Sequence, residues 1–144
     1  MNRTDFVKDF ATGIARMEGF YSTRSLSARN NNPGNLRTWG ERPRSNGYVV
    51  FETEAAGWAA LTRQINLNLD RKLTMREFFG GKFGPKGRVI YAGYAPSRDK
   101  NDPGGYAQFI ADRLRIQPVL LPNGKTRLAI DRVLLDCFDK ETPA

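Results

Sequence analysis

The 144-residue chain contains no histidine and one cysteine, Cys137. Without histidine there can be no Ser-His-Asp triad and no Cys/His zinc site, and a lone cysteine excludes an internal disulfide. Chemistry therefore falls to carboxylates, hydroxyls, amides or basic groups, and no metal or cofactor is expected. No apolar run approaches the ~18 residues that span a bilayer, so stable membrane insertion is not expected. The first residues, Met1-Asn2-Arg3-Thr4-Asp5, lack the basic-then-apolar pattern of a signal peptide. Acidic residues are also scarce: 15 Asp and Glu stand against 23 Lys and Arg, for a formal charge of +8. Such a surface favours encounter with a polyanion, and nucleic acid, anionic lipid and bacterial envelope all qualify. The cations are scattered (Arg42, Arg44, Lys72, Lys82, Lys86, Arg88, Arg113, Arg115) with no block of five or six. That pattern suits long-range steering better than a nucleic-acid groove.

What is present has the size and composition of one domain, residues 1–144, with 40% apolar and 26% charged residues. From Asp5 to Glu18 the apolar residues Phe6, Val7, Phe10, Ala11, Ile14 and Met17 recur at helical spacing. Thr4 is the expected N-cap and Gly19 the stop. At about 100° per residue the apolar set covers roughly 0° to 140°, counted from Phe6, and Glu18 falls at about 120°. A carboxylate on the apolar face, at the negative end of a helix dipole, has its ionised form disfavoured and is suited to act as a general acid. The competing reading is a last-turn glutamate whose side chain reaches water.

Arg29-Asn30-Asn31-Asn32-Pro33-Gly34-Asn35-Leu36-Arg37 follows, an Asx-rich segment that cannot be regular structure. Either it is a turn with no further task, or it offers Asn31, Asn32 and Asn35 to sugar hydroxyls. Leu36–Trp39 and Tyr48–Phe51 read as the strands of a small hairpin, with Trp39 and Tyr48 either in the core or stacking on sugar rings. A second helix is expected from Thr53 to about Leu69 with Trp58 and Leu61 in the core. Thr74 to Glu77 has the form of a capping box opening a short helix through Phe79. The Gly/Pro/Lys segment from Gly80 to Gly87 lacks P-loop spacing. Asp102-Pro103 marks another helix start, running to about Leu114 with Tyr106, Phe109, Ile110 and Leu114 inward. A last helix is expected over Leu128 to Phe138, with Cys137 a small buried hydrophobe, ahead of a frayed tail from Lys140 to Ala144. The predicted class is α+β, predominantly helical, with a hairpin after the first helix.

Glu18-Gly19-Phe20, the Arg29-to-Arg37 segment, Phe51 to Leu61 with Gly57-Trp58-Ala59-Ala60-Leu61, and Tyr94-Ala95-Pro96 leading to Asn101-Asp102-Pro103 and Tyr106 together form a distinctive set of motifs. They resemble bacteriophage and prophage lysozyme-like proteins, similar in arrangement to goose-type lysozymes and soluble lytic transglycosylases. The resemblance covers roughly residues 6 to 114. It implies a lysozyme-like α+β fold with the catalytic glutamate at the end of the first helix, matching Glu18. It also implies peptidoglycan as substrate, cut at the β-1,4 bond between N-acetylmuramic acid and N-acetylglucosamine. Transglycosylases usually place Ser directly after that glutamate, and Gly19 stands there instead.

Glu18 would donate its proton to the glycosidic oxygen and then act as base. One carboxylate suffices if the muramic acid 6-hydroxyl attacks intramolecularly; a hydrolase needs a partner, for which Glu52 and Glu54 rank first and Glu41 after them. Tyr91, Tyr94 and Tyr106 offer hydroxyls, and by the resemblance Tyr94, Asn101 and Tyr106 join Asn31, Asn32 and Asn35 as substrate-binding candidates. Arg29 and Arg37 either meet peptide-stem carboxylates or brace the loop. The expected partner is a peptidoglycan glycan strand, met by a monomer without nucleic acid. The expected setting is endolysin-like wall degradation, an antimicrobial activity in the periplasm or cell wall after delivery by a holin, a virion or a secretion apparatus. The alternative is a non-catalytic phage structural or wall-binding protein of the same fold.

Overall fold

The computed structural model describes residues 1–96 and 101–139; part of the loop from Ser97 and the tail from Lys140 lie outside them. Among the described residues the protein is α+β and 46% helical, with five helices and three two-stranded antiparallel sheets. Among the described residues no helix is long and apolar enough to cross a membrane. The chain divides into two compact units, Val7–Leu67 and Met1–Phe6 with Asn68–Ala144, whose boundaries fall within helices α1 (Arg3–Met17) and α3 (Glu54–Asp70).

In the unit Val7–Leu67, α1 buries Val7, Phe10, Ala11, Ile14 and Ala15, the stripe that the 3.6-residue period sets out. Its start lies earlier than expected. Asn2, and not Thr4, supplies the cap, its Oδ1 accepting the Asp5 N–H at 2.9 Å, which leaves Thr4 inside the first turn. After the short helix α2 (Leu26–Arg29), strands β1 (Arg44–Ser45) and β2 (Tyr48–Val49) pair with Ser45 opposite Tyr48. The expected first strand, Leu36–Trp39, is displaced because Asn46 and Gly47 both adopt positive φ, 52° and 86°. That is the pattern of a two-residue hairpin turn, and it selects the residues beside it as strands. Leu36 instead lends its carbonyl to the Val49 N–H. On α3, capped by the Thr53 hydroxyl, Ala60, Leu61 and Ile65 are buried. Trp58 is half-buried rather than in the core, since its Nε1 donates to Glu54 at 3.1 Å and its ring meets Phe20 edge-on.

In the other unit, the Thr74–Glu77 capping box opens α4 (Met75–Gly80) with both reciprocal hydrogen bonds in place. Helix α5 (Pro103–Arg113) starts where the Asp102 side chain accepts the Gly105 N–H. Its buried stripe is Ala107, Ile110, Ala111 and Leu114; Phe109 lies off that stripe and is exposed, contrary to expectation. Met75, Phe78 and Phe79 of α4 are fully buried, each a side chain whose burial is worth about 1.5–3 kcal/mol. Strands β3 (Lys82–Phe83) and β4 (Val89–Tyr91) form one hairpin, and β5 (Val119–Leu120) and β6 (Thr126–Arg127) another. The helix expected over Leu128 to Phe138 is replaced by two 3₁₀ turns, Ala129–Asp131 and Leu134–Asp136. The backbone between them bonds across the chain: Val133 bridges Thr74, and the Leu134 N–H donates to the Leu73 carbonyl. Tertiary pairing there outweighs helical periodicity. Cys137 is correspondingly half-buried.

Candidate functional site

The unit Val7–Leu67 places Glu18 at the C-cap of α1. Gly19, with φ 71°, lets the chain turn back, the Gly19 N–H donating to Arg16 and the Phe20 N–H to Ala15. These two bonds form the Schellman arrangement, which fixes the direction in which Glu18 leaves the helix. The residue is half-buried. Burial of its surroundings raises the carboxyl from its ordinary 4.5 to about 7, against smaller opposing effects of the Asn35 amide and the Arg37 charge. A carboxyl that retains its proton near neutrality, with part of its surface still open, meets the two requirements of a general acid.

Asn35 Nδ2 lies 3.4 Å from Glu18 Oε2, a long hydrogen bond, while Asn35 Oδ1 is buried with no hydrogen-bond partner among the described residues. The amide can thus donate to the carboxylate and, turned by 180°, accept from the protonated carboxyl. Asn35 is held for this by its own positive φ of 49° and by its N–H on the Asn32 carbonyl.

Asn32 plays a different part from the one expected of a sugar ligand. It is fully buried, its Nδ2 donating to the Leu36 and Val49 carbonyls at 2.9 and 3.0 Å and its Oδ1 accepting the Leu36 N–H at 2.8 Å. Its amide is spent on backbone, and its own carbonyl accepts from the buried Ser27 hydroxyl at 2.7 Å. Asn32 is the tie between the Asx-rich loop and β2. Replacement by Ala leaves the Val49 carbonyl and the Leu36 N–H without this partner at about 1–3 kcal/mol each, the Leu36 carbonyl keeping the Val49 N–H. Asn32→Ala is therefore expected to lose about 3–5 kcal/mol of stability, read as a lower urea midpoint. Asn31 is half-buried with φ 52° and donates from Nδ2 to the Phe51 carbonyl at 3.2 Å.

The two carboxylates ranked as partners of Glu18 are both exposed and engaged elsewhere. Glu52 forms a bidentate pair with Arg42, both contacts 3.2 Å, and that pairing holds its carboxyl below the ordinary range. Glu54 accepts from Trp58 Nε1. Burial raises the Glu18 carboxyl, and Asn35 and Arg37 oppose it. Arg37, whose guanidinium also lies 5.5 Å from the Tyr48 ring centroid, acts on Glu18 through its charge, a role that nothing in the local sequence signals.

Tyr94, Asn101 and Tyr106 belong to the other unit. There Tyr94 stacks on Phe78 with ring centroids 5.6 Å apart, Tyr106 lies 5.5 Å from Phe79, and Asn101 is half-buried just before the cap of α5. Both tyrosines thus have their rings on the aromatic cluster of α4. Burial raises the phenol of Tyr91 above its ordinary value, and Arg71 lies over its ring. Among the described residues no group of three acidic, cysteine or histidine side chains could hold a metal ion.

Compared with protein-family models, curated proteins and solved structures, the chain has no match.

Proposed function

We propose that the protein is a peptidoglycan-cleaving glycosidase of lysozyme-like type, acting on the β-1,4 bond between N-acetylmuramic acid and N-acetylglucosamine. Glu18 is the general acid and then the base. The observation that carries this is the half-buried Glu18 at the helix end, its carboxyl lifted to about 7 with the Asn35 amide against it. At neutral pH about half of such carboxyls hold the proton that a leaving glycosidic oxygen requires. Protonation lets the glycosidic oxygen leave as a neutral alcohol as oxocarbenium character develops at the anomeric carbon. The carboxylate left behind then takes a proton from the attacking hydroxyl.

With Glu52 bound to Arg42 and Glu54 to Trp58, the attacking hydroxyl that suits a lone carboxylate is the muramic acid 6-hydroxyl. Lytic transglycosylase chemistry, with an anhydro-muramic product, is the version this arrangement favours. Incubation with purified sacculi tests the reading: release of soluble glycan fragments is expected, and binding without any release would leave a wall-binding protein and overturn it.

Asn35 supplies a separate check. Its amide opposes the effect of burial on Glu18, so Asn35→Ala is expected to raise the carboxyl above its value of about 7. A ¹³C titration of the Glu18 side-chain carboxyl would record the upward displacement, and the alkaline limb of activity should move with it.

A further inference from the structure

The unit formed by Met1–Phe6 and Asn68–Ala144 carries two hairpins whose apolar side chains face water. In the β5–β6 hairpin every residue from Gln117 to Leu128 is exposed except Leu121, which is half-buried. Leu120 is 75% exposed and Leu128 52%. Val119 pairs with Arg127 and Leu120 with Thr126, so alternation sets Leu120, Thr126 and Leu128 on one face. A two-stranded hairpin with leucines in water has little to hold it from within, and exposed apolar residues so placed commonly mark a contact surface. The β3–β4 hairpin repeats the pattern: Phe83, opposite Val89, is 56% exposed, Val89 58% and Ile90 41%.

Charge selects the occupant. Residues 114–130 contain three cations, Arg115, Lys125 and Arg127, and no acid; residues 80–96 contain Lys82, Lys86 and Arg88 and no acid. Asp131, next in the chain, is held by Arg76 at 2.6 Å. A second copy of the protein would bring like charges together. Nucleic acid would leave Leu120 and Leu128 without a counterpart, and the β5–β6 hairpin has no aromatic ring on which a base could stack. A surface with anionic headgroups above an acyl interior satisfies both components, the cations at the headgroups and the leucines below them.

We infer that this unit docks peripherally on anionic phospholipid bilayers through the β5–β6 hairpin, with the β3–β4 hairpin as a second contact. This binding function is independent of glycan cleavage and needs none of the residues around Glu18. It would hold a cationic enzyme at the membrane that adjoins its substrate layer.

Co-sedimentation of the full-length protein with phosphatidylcholine vesicles, with and without phosphatidylglycerol, tests it. Binding is expected only with phosphatidylglycerol, and Leu120→Ser with Leu128→Ser, which leaves the charge unchanged, should weaken it by about tenfold. Phe83→Ser with Ile90→Ser should weaken it as well. Circular dichroism checks that these surface variants remain folded. As an independent readout, Leu120→Trp should be quenched by brominated acyl chains. Failure to bind phosphatidylglycerol vesicles would overturn the proposal. So would undiminished binding by the serine variants, which would reduce the effect to charge alone.

Discussion

Glu18→Gln is expected to lower glycan cleavage by about 10³-fold, the scale of a general acid, while making the protein more stable at alkaline pH. The two effects share one cause. The folded carboxyl holds its proton to about 7 whereas the unfolded one releases it near 4.5, so between those values the folded state binds more protons. Stability then falls as pH rises from about 4.5 to about 7 and is level above. The full displacement corresponds to about 3 kcal/mol, which solvent access to a half-buried side chain reduces to about 1–2 kcal/mol. Glutamine carries no charge to desolvate. Its variant should melt about 3–6 °C higher than the wild type at pH 8 and no higher at pH 4, as thermal unfolding at the two pH values would show. A gain in stability joined to a loss of activity is what a site strained for function gives up.

Gly57→Ala carries a large expected structural effect. An alanine normally improves a helix by about 0.5–1 kcal/mol over glycine. In α3, however, a Cβ at residue 57 would overlap the Asn31 carbonyl oxygen and stand 2.8 Å from the Pro33 ring. The obstacle is backbone of the Asx-rich loop, which cannot retreat without disturbing the left-handed Asn31 and the hydrogen bonds of Asn32. A cost of about 3 kcal/mol or more is expected, with loss of cleavage because Asn35 hangs from the same loop. Gly104→Ala in α5 is the control. Its Cβ would meet only Asp102 Oδ1, at 3.8 Å, and the substitution should stabilise. Melting temperatures of the two variants should therefore move in opposite directions.

These two residues also show what the sequence makes legible. The place of Glu18 at the end of α1 is readable because everything that sets it is local: the apolar stripe of α1, the Gly19 turn and the helix end lie within one run of residues. The Thr74 capping box and the Asp102-Pro103 start are readable for the same reason. Gly57 shows only as a glycine in a helical pattern, since its reason is a loop 26 residues earlier in the chain. Asn32 and Asn35 look alike in sequence, yet one is consumed by backbone and the other meets Glu18; partners 4 and 17 residues away decide between them. The segment from Leu128 to Phe138 has helical spacing but spends its backbone on Leu73 and Thr74, which periodicity cannot register. The exposure of Leu120 and Leu128 likewise follows from the pairing of β5 with β6, which composition does not register.

The most direct test of Glu18 as a lone acid/base is the mass of the glycan ends released from purified peptidoglycan by the wild type and by Glu18→Gln. The account predicts anhydro-muramic ends from the wild type and none from the variant. Reducing ends would show that water attacks with the help of a second group, and equal release by the variant, or no release by either protein, would contradict the assignment of Glu18 outright.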